Sequence, residues 1–73
     1  MNKDEFITEI ADLLSMEESE VTSDKILEQL EDWDSLAVIG FIALLDKKLG
    51  KKVGAGSIFG CKTIGDLEEI AGF

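Results

Sequence analysis

The 73-residue chain has no histidine, tyrosine, proline or arginine, and a single cysteine, Cys61. Each absence removes a class of function. Without histidine or tyrosine, and with a lone thiol, the usual pairings of nucleophile and general base cannot be assembled, which argues against an enzyme. Without arginine, the forked phosphate contact that nucleic-acid binders use is missing. One cysteine closes no internal disulfide and builds no metal cluster. No apolar run approaches the roughly 20 residues that cross a bilayer. No charged-then-apolar leader opens the chain, so a soluble cytoplasmic protein is expected.

Acids dominate what is there. The net charge is -9, and it is lopsided: 12 Asp and Glu face 2 Lys before Ser35, whereas 4 acids face 5 Lys from Ser35 onward. Such a surface repels phosphate backbones and anionic lipid, so no nucleic acid and no membrane is expected as partner; a basic protein surface would be met faster. With 45% hydrophobic residues in periodic runs the chain can still fold. Its length fits a single domain, residues 1–73, with a small core that buries about 60% of the unfolded surface. A monomer is expected.

Helical periodicity is the main structural signal. Asn2 and Glu5 outline a capping box ahead of Phe6, Ile7, Ile10, Ala11, Leu13 and Leu14, which predicts a first amphipathic helix ending near Ser15. Residues 16–33 read as a long structured loop anchored by Val21, Ile26, Leu27 and Leu30, with a helical turn between Lys25 and Leu30. Asp34 suits the N-cap of a second helix, with Trp33 and Val38 in the positions of a hydrophobic staple and Ser35 exposed at the first helical position. Leu36 to Leu45 carries no charge. Val38, Ile42, Leu45 and Leu49 form one stripe and Leu36, Ile39 and Ala43 another, so this helix is either central or meets something besides its own core. Lys47, Lys48 and Gly50 suit its end.

The glycine-rich stretch KKVGAGSIFGCK, anchored by Ile58 and Phe59, predicts a mobile loop with at most one short helix, because each glycine disfavours helix by about 1 kcal/mol relative to alanine. Thr63 and Asp66 then cap a last helix with Ile64, Leu67, Ile70 and Ala71 on its apolar face. Strand signals are nearly absent. The expected fold is all-α: a small four-helix bundle with a long first loop and a short or irregular third helix.

Metal binding finds little support. Asp32, Trp33, Asp34 and Ser35 open no calcium loop, since the glycine at the sixth position and the glutamate at the twelfth are missing. Glu17, Glu18 and Glu20 read as a solvated acidic loop. What remains is a serine at a helix N-terminus with nothing local to activate it, where free amides and the helix dipole would accept an anion such as a phosphodiester. Any covalent chemistry on Ser35 must come from a second protein.

The tripeptide Asp34, Ser35, Leu36, set between a long acidic loop and an apolar helix and followed at matching spacing by KTIGDLEEI, resembles an acyl carrier protein over essentially the whole chain. The resemblance implies that Ser35 is esterified with 4'-phosphopantetheine from coenzyme A by a phosphopantetheinyl transferase. Asp34 would be helix cap and part of the surface the transferase reads, and Leu36 a contact beside the attachment point; simple roles as cap and as core residue stand beside these. The acyl end of the arm would fold back inside the bundle, with Cys61, Ile58, Phe59, Leu45 and Ile64 as pocket candidates, each also explained by core membership. Further implied partners are a ligase or acyltransferase that loads an acyl or aminoacyl group and a downstream enzyme that uses it.

The chain also departs from the pattern. Fatty-acid carriers commonly present acids on the exposed face of the second helix, where Ala37, Gly40 and Lys47 stand here. Charge-guided docking is weakened on that face, and a more apolar contact in a specialised pathway is expected. The alternative from another class is a small acidic adaptor that binds a partner through its apolar second helix.

Overall fold

The Asn2 side chain accepts from the Glu5 amide at 2.8 Å while the Glu5 carboxylate reaches back toward the Asn2 amide at 3.5 Å, and this capping box starts helix α1 (Lys3–Leu14). In the computed structural model, which describes all 73 residues, α1 buries Phe6, Ile10, Ala11 and Leu14, with Ile7 and Leu13 half-buried beside them. It stops at Ser15, as expected, through a left-handed φ of 55°.

The loop that follows is ordered by two 3-10 turns, Glu18–Glu20 and Leu27–Gln29, the second within the expected Lys25–Leu30 span. Val21 and Leu27 enter the core and Leu30 is half-buried, but Ile26, expected as a fourth anchor, stays 43% exposed. Its main chain is what holds it: Ile26 forms an isolated antiparallel bridge with Thr63. Around that bridge the Leu27 amide donates to the Lys62 carbonyl (2.9 Å), Ile64 to Lys25 (3.0 Å) and Gly65 to Ser23 (2.9 Å). A Cβ on Gly65 would lie 3.0 Å from the Ser23 carbonyl oxygen, so a side chain there would press on the loop, which would have to give by a few tenths of an ångström.

Helix α2 (Ser35–Leu49) buries Ala37, Val38, Phe41 and Leu45. Phe41, which belongs to neither expected stripe, packs edge-on against Phe6 with ring centroids 6.1 Å apart and planes at 79°, a geometry worth about 0.5–1.5 kcal/mol beyond area burial. The stripe of Val38 and Leu45 lies in the core, with Ile42 and Leu49 half-buried. The other stripe faces out: Leu36 is 77% and Ile39 61% exposed, and Ala43 is exposed with them. The helix ends where Gly50 takes φ 65° and returns amide bonds from Gly50 to Asp46 and from Lys51 to Leu45.

Helix α3 (Ala55–Phe59) spans five residues and helix α4 (Ile64–Ala71) eight. The glycine-rich stretch therefore forms a short helix. Propensity is overridden there by Ile58, which is wholly buried, while Phe59, expected as a second anchor, points outward at 65% exposure. In α4, Thr63 accepts from the Asp66 amide and Asp66 from the Thr63 amide, completing the expected box, and Ile64, Leu67 and Ala71 enter the core. The fold is the expected all-α bundle with a long first loop and a short third helix. Nothing in the sequence pattern pointed to Glu68, which is 6% exposed on α4. One of its carboxylate oxygens accepts from the Ser23 hydroxyl and the other meets the Lys3 ammonium at 3.3 Å, so this buried charge ties loop, α1 and α4 together.

Candidate functional site

Asp34 holds an extended backbone (φ -130°, ψ -169°), and its Oδ1 accepts from the Ala37 amide at 3.0 Å. The Val38 amide is taken by the Asp34 carbonyl at 3.0 Å. The amides of Ser35 and Leu36 have no carbonyl one turn back to bond, as at any helix start, and both residues are exposed. Ser35 thus sits at the first helical position, its hydroxyl free of any protein partner. Ala37 and Val38, the next two residues, are buried, so the end of the helix carrying Ser35 is anchored one turn in.

A groove of about 1010 Å³ opens at this serine. Ser35 and Asp34 form one margin and Phe59 to Thr63 the other; Leu27 and Val38 are its buried apolar lining, and Trp33 is half-buried within it. The loop-to-α4 stitch at Ile26 and Thr63 belongs to the same lining and fixes the spacing of the two sides. Trp33 and Val38, the expected staple pair, share this groove.

Several expected site residues are relocated. Leu36 is not a core residue, since it stands out from the helix beside Ser35. Among the pocket candidates, Leu45, Ile58 and Ile64 are core residues with 0–1% exposure, whereas Phe59 and Cys61 line the groove. Cys61 is half-buried, its Sγ 3.5 Å from the Ser57 carbonyl. Burial pushes its thiol above the ordinary range, and the nearby Asp66 and Glu69 carboxylates add to the shift. Ala37 is buried and Gly40 half-buried, with Leu13 Cδ1 only 2.7 Å from where a Gly40 Cβ would stand, so neither belongs to an outward docking face. The outward face of α2 is Leu36, Ile39 and Ala43. Glu18 accepts from the Thr8 hydroxyl at 2.7 Å and Glu20 from the Glu17 amide at 3.2 Å, so these acids are engaged within the protein, and no group of acids and thiols is arranged to hold a metal ion.

An exposed, unpaired hydroxyl at the start of an anchored helix, opening on a groove and lacking any local base, defines a carrier scaffold: the hydroxyl can receive a group but cannot activate itself. Comparison with protein families carries this further. Residues 4–70, all but the first and last three, match the phosphopantetheine attachment site family, and the chain belongs to it. It is thus a carrier of the acyl carrier protein kind, one that bears a covalently attached 4'-phosphopantetheine and is a substrate of other enzymes rather than a catalyst. Comparison with curated proteins and with solved structures returns no match. No helix is long and apolar enough to cross a membrane.

Proposed function

We propose that residues 1–73 act as a single carrier domain whose prosthetic arm is attached at Ser35 and holds an acyl or aminoacyl group as a thioester for a specialised pathway. The observation that carries this reading is the position of Ser35: exposed, without a hydrogen-bond partner, first in an anchored helix and at the mouth of the groove. In the modification the Ser35 oxygen attacks the pantetheine-bearing phosphorus of coenzyme A. An O–P bond forms, the pyrophosphate bond breaks, and adenosine 3',5'-bisphosphate leaves. The hydroxyl proton passes to a base on the transferase, because the chain has no histidine and Asp34 Oδ1 is committed to the Ala37 amide. The arm supplies the thiol that forms the thioester. Asp34 holds the helix end that presents Ser35, and the free amides beside it favour an anion there.

The partners of this carrier are a phosphopantetheinyl transferase, a ligase or acyltransferase that loads the arm, and a downstream enzyme that removes its cargo, in the cytoplasm and with the carrier as a monomer. Leu36 and Ile39, apolar and exposed next to Ser35, favour partners that offer an apolar pocket there over partners that offer only basic charge. The same two residues would serve an adaptor whose serine is never modified. Intact mass after incubation with coenzyme A, magnesium and a broad-specificity transferase separates the readings. A gain of one phosphopantetheinyl group by the parent and none by Ser35→Ala is expected. A folded parent that gains nothing would replace the carrier reading with the adaptor.

A further inference from the structure

Val38 turns one side of α2 to the groove at Ser35; Gly40 and Leu44, on the other side, turn to α1 and line a separate furrow. Two open depressions of about 240 Å³ each make up this furrow. Glu9, Asp12, Leu13, Gly40 and Leu44 line the first, and Leu13, Asp32, Asp34, Leu36 and Ala37 the second. As α1 advances from Glu9 to Leu13, its neighbours on α2 fall back from Leu44 to Leu36, so the two helices run antiparallel. From Leu36 to Leu44 the furrow is about 12 Å long at 1.5 Å per residue, a little over two helical turns. Gly40 stands at its middle, and Leu13 lies down in the space it leaves, with Cδ1 2.7 Å from where a Cβ would be.

The furrow joins two kinds of unpartnered surface. Glu9, Asp12, Asp32 and Asp34 line it and no lysine does. The two ion pairs of the molecule, Lys3 with Glu68 and Lys52 with Asp46, involve none of these four acids. Their mutual repulsion is a cost to the folded chain that a cationic partner would relieve. Between them the floor is apolar: Leu13 and Leu44 are half-buried, and Leu36 is 77% exposed at the end nearest Ser35. An apolar strip about two turns long with carboxylates beside it fits an amphipathic helix that carries lysine or arginine on either side of its apolar stripe. Anionic lipid and nucleic acid are repelled by the same acids, and these acids are not arranged to hold a metal ion.

Resting on the reading of the chain as a carrier that its enzymes must approach at Ser35, we propose that the furrow between α1 and α2 docks a basic amphipathic helix of a partner protein. The apolar stripe of that helix lies on Leu13, Leu36 and Leu44, and its cations face Glu9, Asp12 and Asp32. A partner seated there stands beside Ser35 while leaving the groove on the other side of α2 uncovered.

The probe is an acetylated and amidated peptide of about 14 residues with leucines at helical spacing and lysines flanking them. It is titrated into the full chain and followed by backbone amide NMR, alongside a version with serine in place of leucine. The leucine peptide should move the amides of Glu9, Asp12, Leu13, Gly40 and Leu44, and its affinity should fall as salt rises to about 0.15 M, where charges are screened beyond about 8 Å. The double variant Glu9→Gln, Asp12→Asn, with the charge of one rim removed, should bind it about tenfold more weakly. Gly40→Ala, whose Cβ displaces only the flexible end of Leu13, should also weaken binding while leaving every charge in place.

Parental affinity in either variant would overturn the proposal. So would a serine peptide that binds as tightly as the leucine one, or shifts that gather on Glu17 to Glu20, because charge alone would then be the attraction. Furrow amides that move with protein concentration alone would overturn it as well, in favour of a second copy of the chain as occupant. Ser35→Ala, which cannot take the arm, should bind the peptide like the parent. A parent that gains the arm but leaves the peptide unbound strikes the furrow, whereas one that binds the peptide and gains no mass strikes the carrier reading.

Discussion

Removing the cap in front of Ser35 tests the structural logic of the site most directly. Asp34 contributes one hydrogen bond, from the Ala37 amide at 3.0 Å, and a negative charge at the positive end of a 15-residue helix. Loss of a capping side chain costs about 1 kcal/mol. A chain of 73 residues has a total stability on the order of 4–11 kcal/mol, at roughly 0.05–0.15 kcal/mol per residue, so the loss is a sizeable share. Asp34→Ala should lower the thermal midpoint by about 4–8 °C, the shift per kcal/mol for a domain of this size. Asp34→Asn keeps the acceptor and loses only the charge. Its loss is the charge–dipole part, at the low end of about 0.3–1 kcal/mol because Asp34 is exposed, and it should shrink further with added salt. Thermal unfolding followed by circular dichroism, with urea midpoints as a check on an unchanged m-value, measures both variants. Ser35 should be modified at close to the parental rate in Asp34→Asn and more slowly in Asp34→Ala, whose helix end frays. An alanine variant that melts with the parent, or an asparagine variant that falls as far as alanine, would refute the argument that the cap is what presents Ser35.

Phe41→Ala removes a fully buried ring at the centre of the core and should cost about 3–5 kcal/mol, seen as a large drop in urea midpoint; a loss under about 1 kcal/mol would mean that the core is looser than its burial implies. The amide bonds from Lys62 and Thr63 hold the Asp66 carboxyl below its ordinary 3.8, so its contribution is complete above that value and is lost as pH falls through the lowered one. The stability gap between parent and Asp66→Ala should accordingly be open at neutral pH and close in acid, as urea melts across that range would record. Cys61, its thiol pushed up by burial, should react with iodoacetamide more slowly at neutral pH than a free cysteine does, and the midpoint of its pH–rate profile should lie above the ordinary value. Equal rates would show the thiol to be freely solvated.

Local chemistry was legible in the chain and tertiary chemistry was not. The caps at Asn2, Asp34 and Thr63 and the stop at Gly50 lie where the sequence predicts them, because each is settled within four or five residues of chain. Leu36, Ile39 and Phe59 turn outward although they are apolar, since a four-element bundle has room inside for only one face of α2 and one residue of α3. Ala37 and Gly40, read as an outward docking face, lie instead where α2 turns toward the core and α1, and period alone could not choose between the two faces of a helix apolar all round. Glu68 was invisible for the opposite reason: its partners Ser23 and Lys3 are 45 and 65 residues away, and no local pattern announces such a pairing.

The seam between the first loop and the start of α4 has a consequence for how such a domain can diversify. Its three amide bonds use main-chain atoms at both ends, from Leu27 to Lys62, Ile64 to Lys25 and Gly65 to Ser23. The exposed side chains at Ile26 and Lys62, and the half-buried one at Lys25, can therefore be exchanged without altering the fastening. Proline at 27, 64 or 65 would remove a donor and break one of the three bonds, and bulk at Gly65 would press on the Ser23 carbonyl. Recognition can be rewritten on the rim of the groove while the frame that sets its width stays the same.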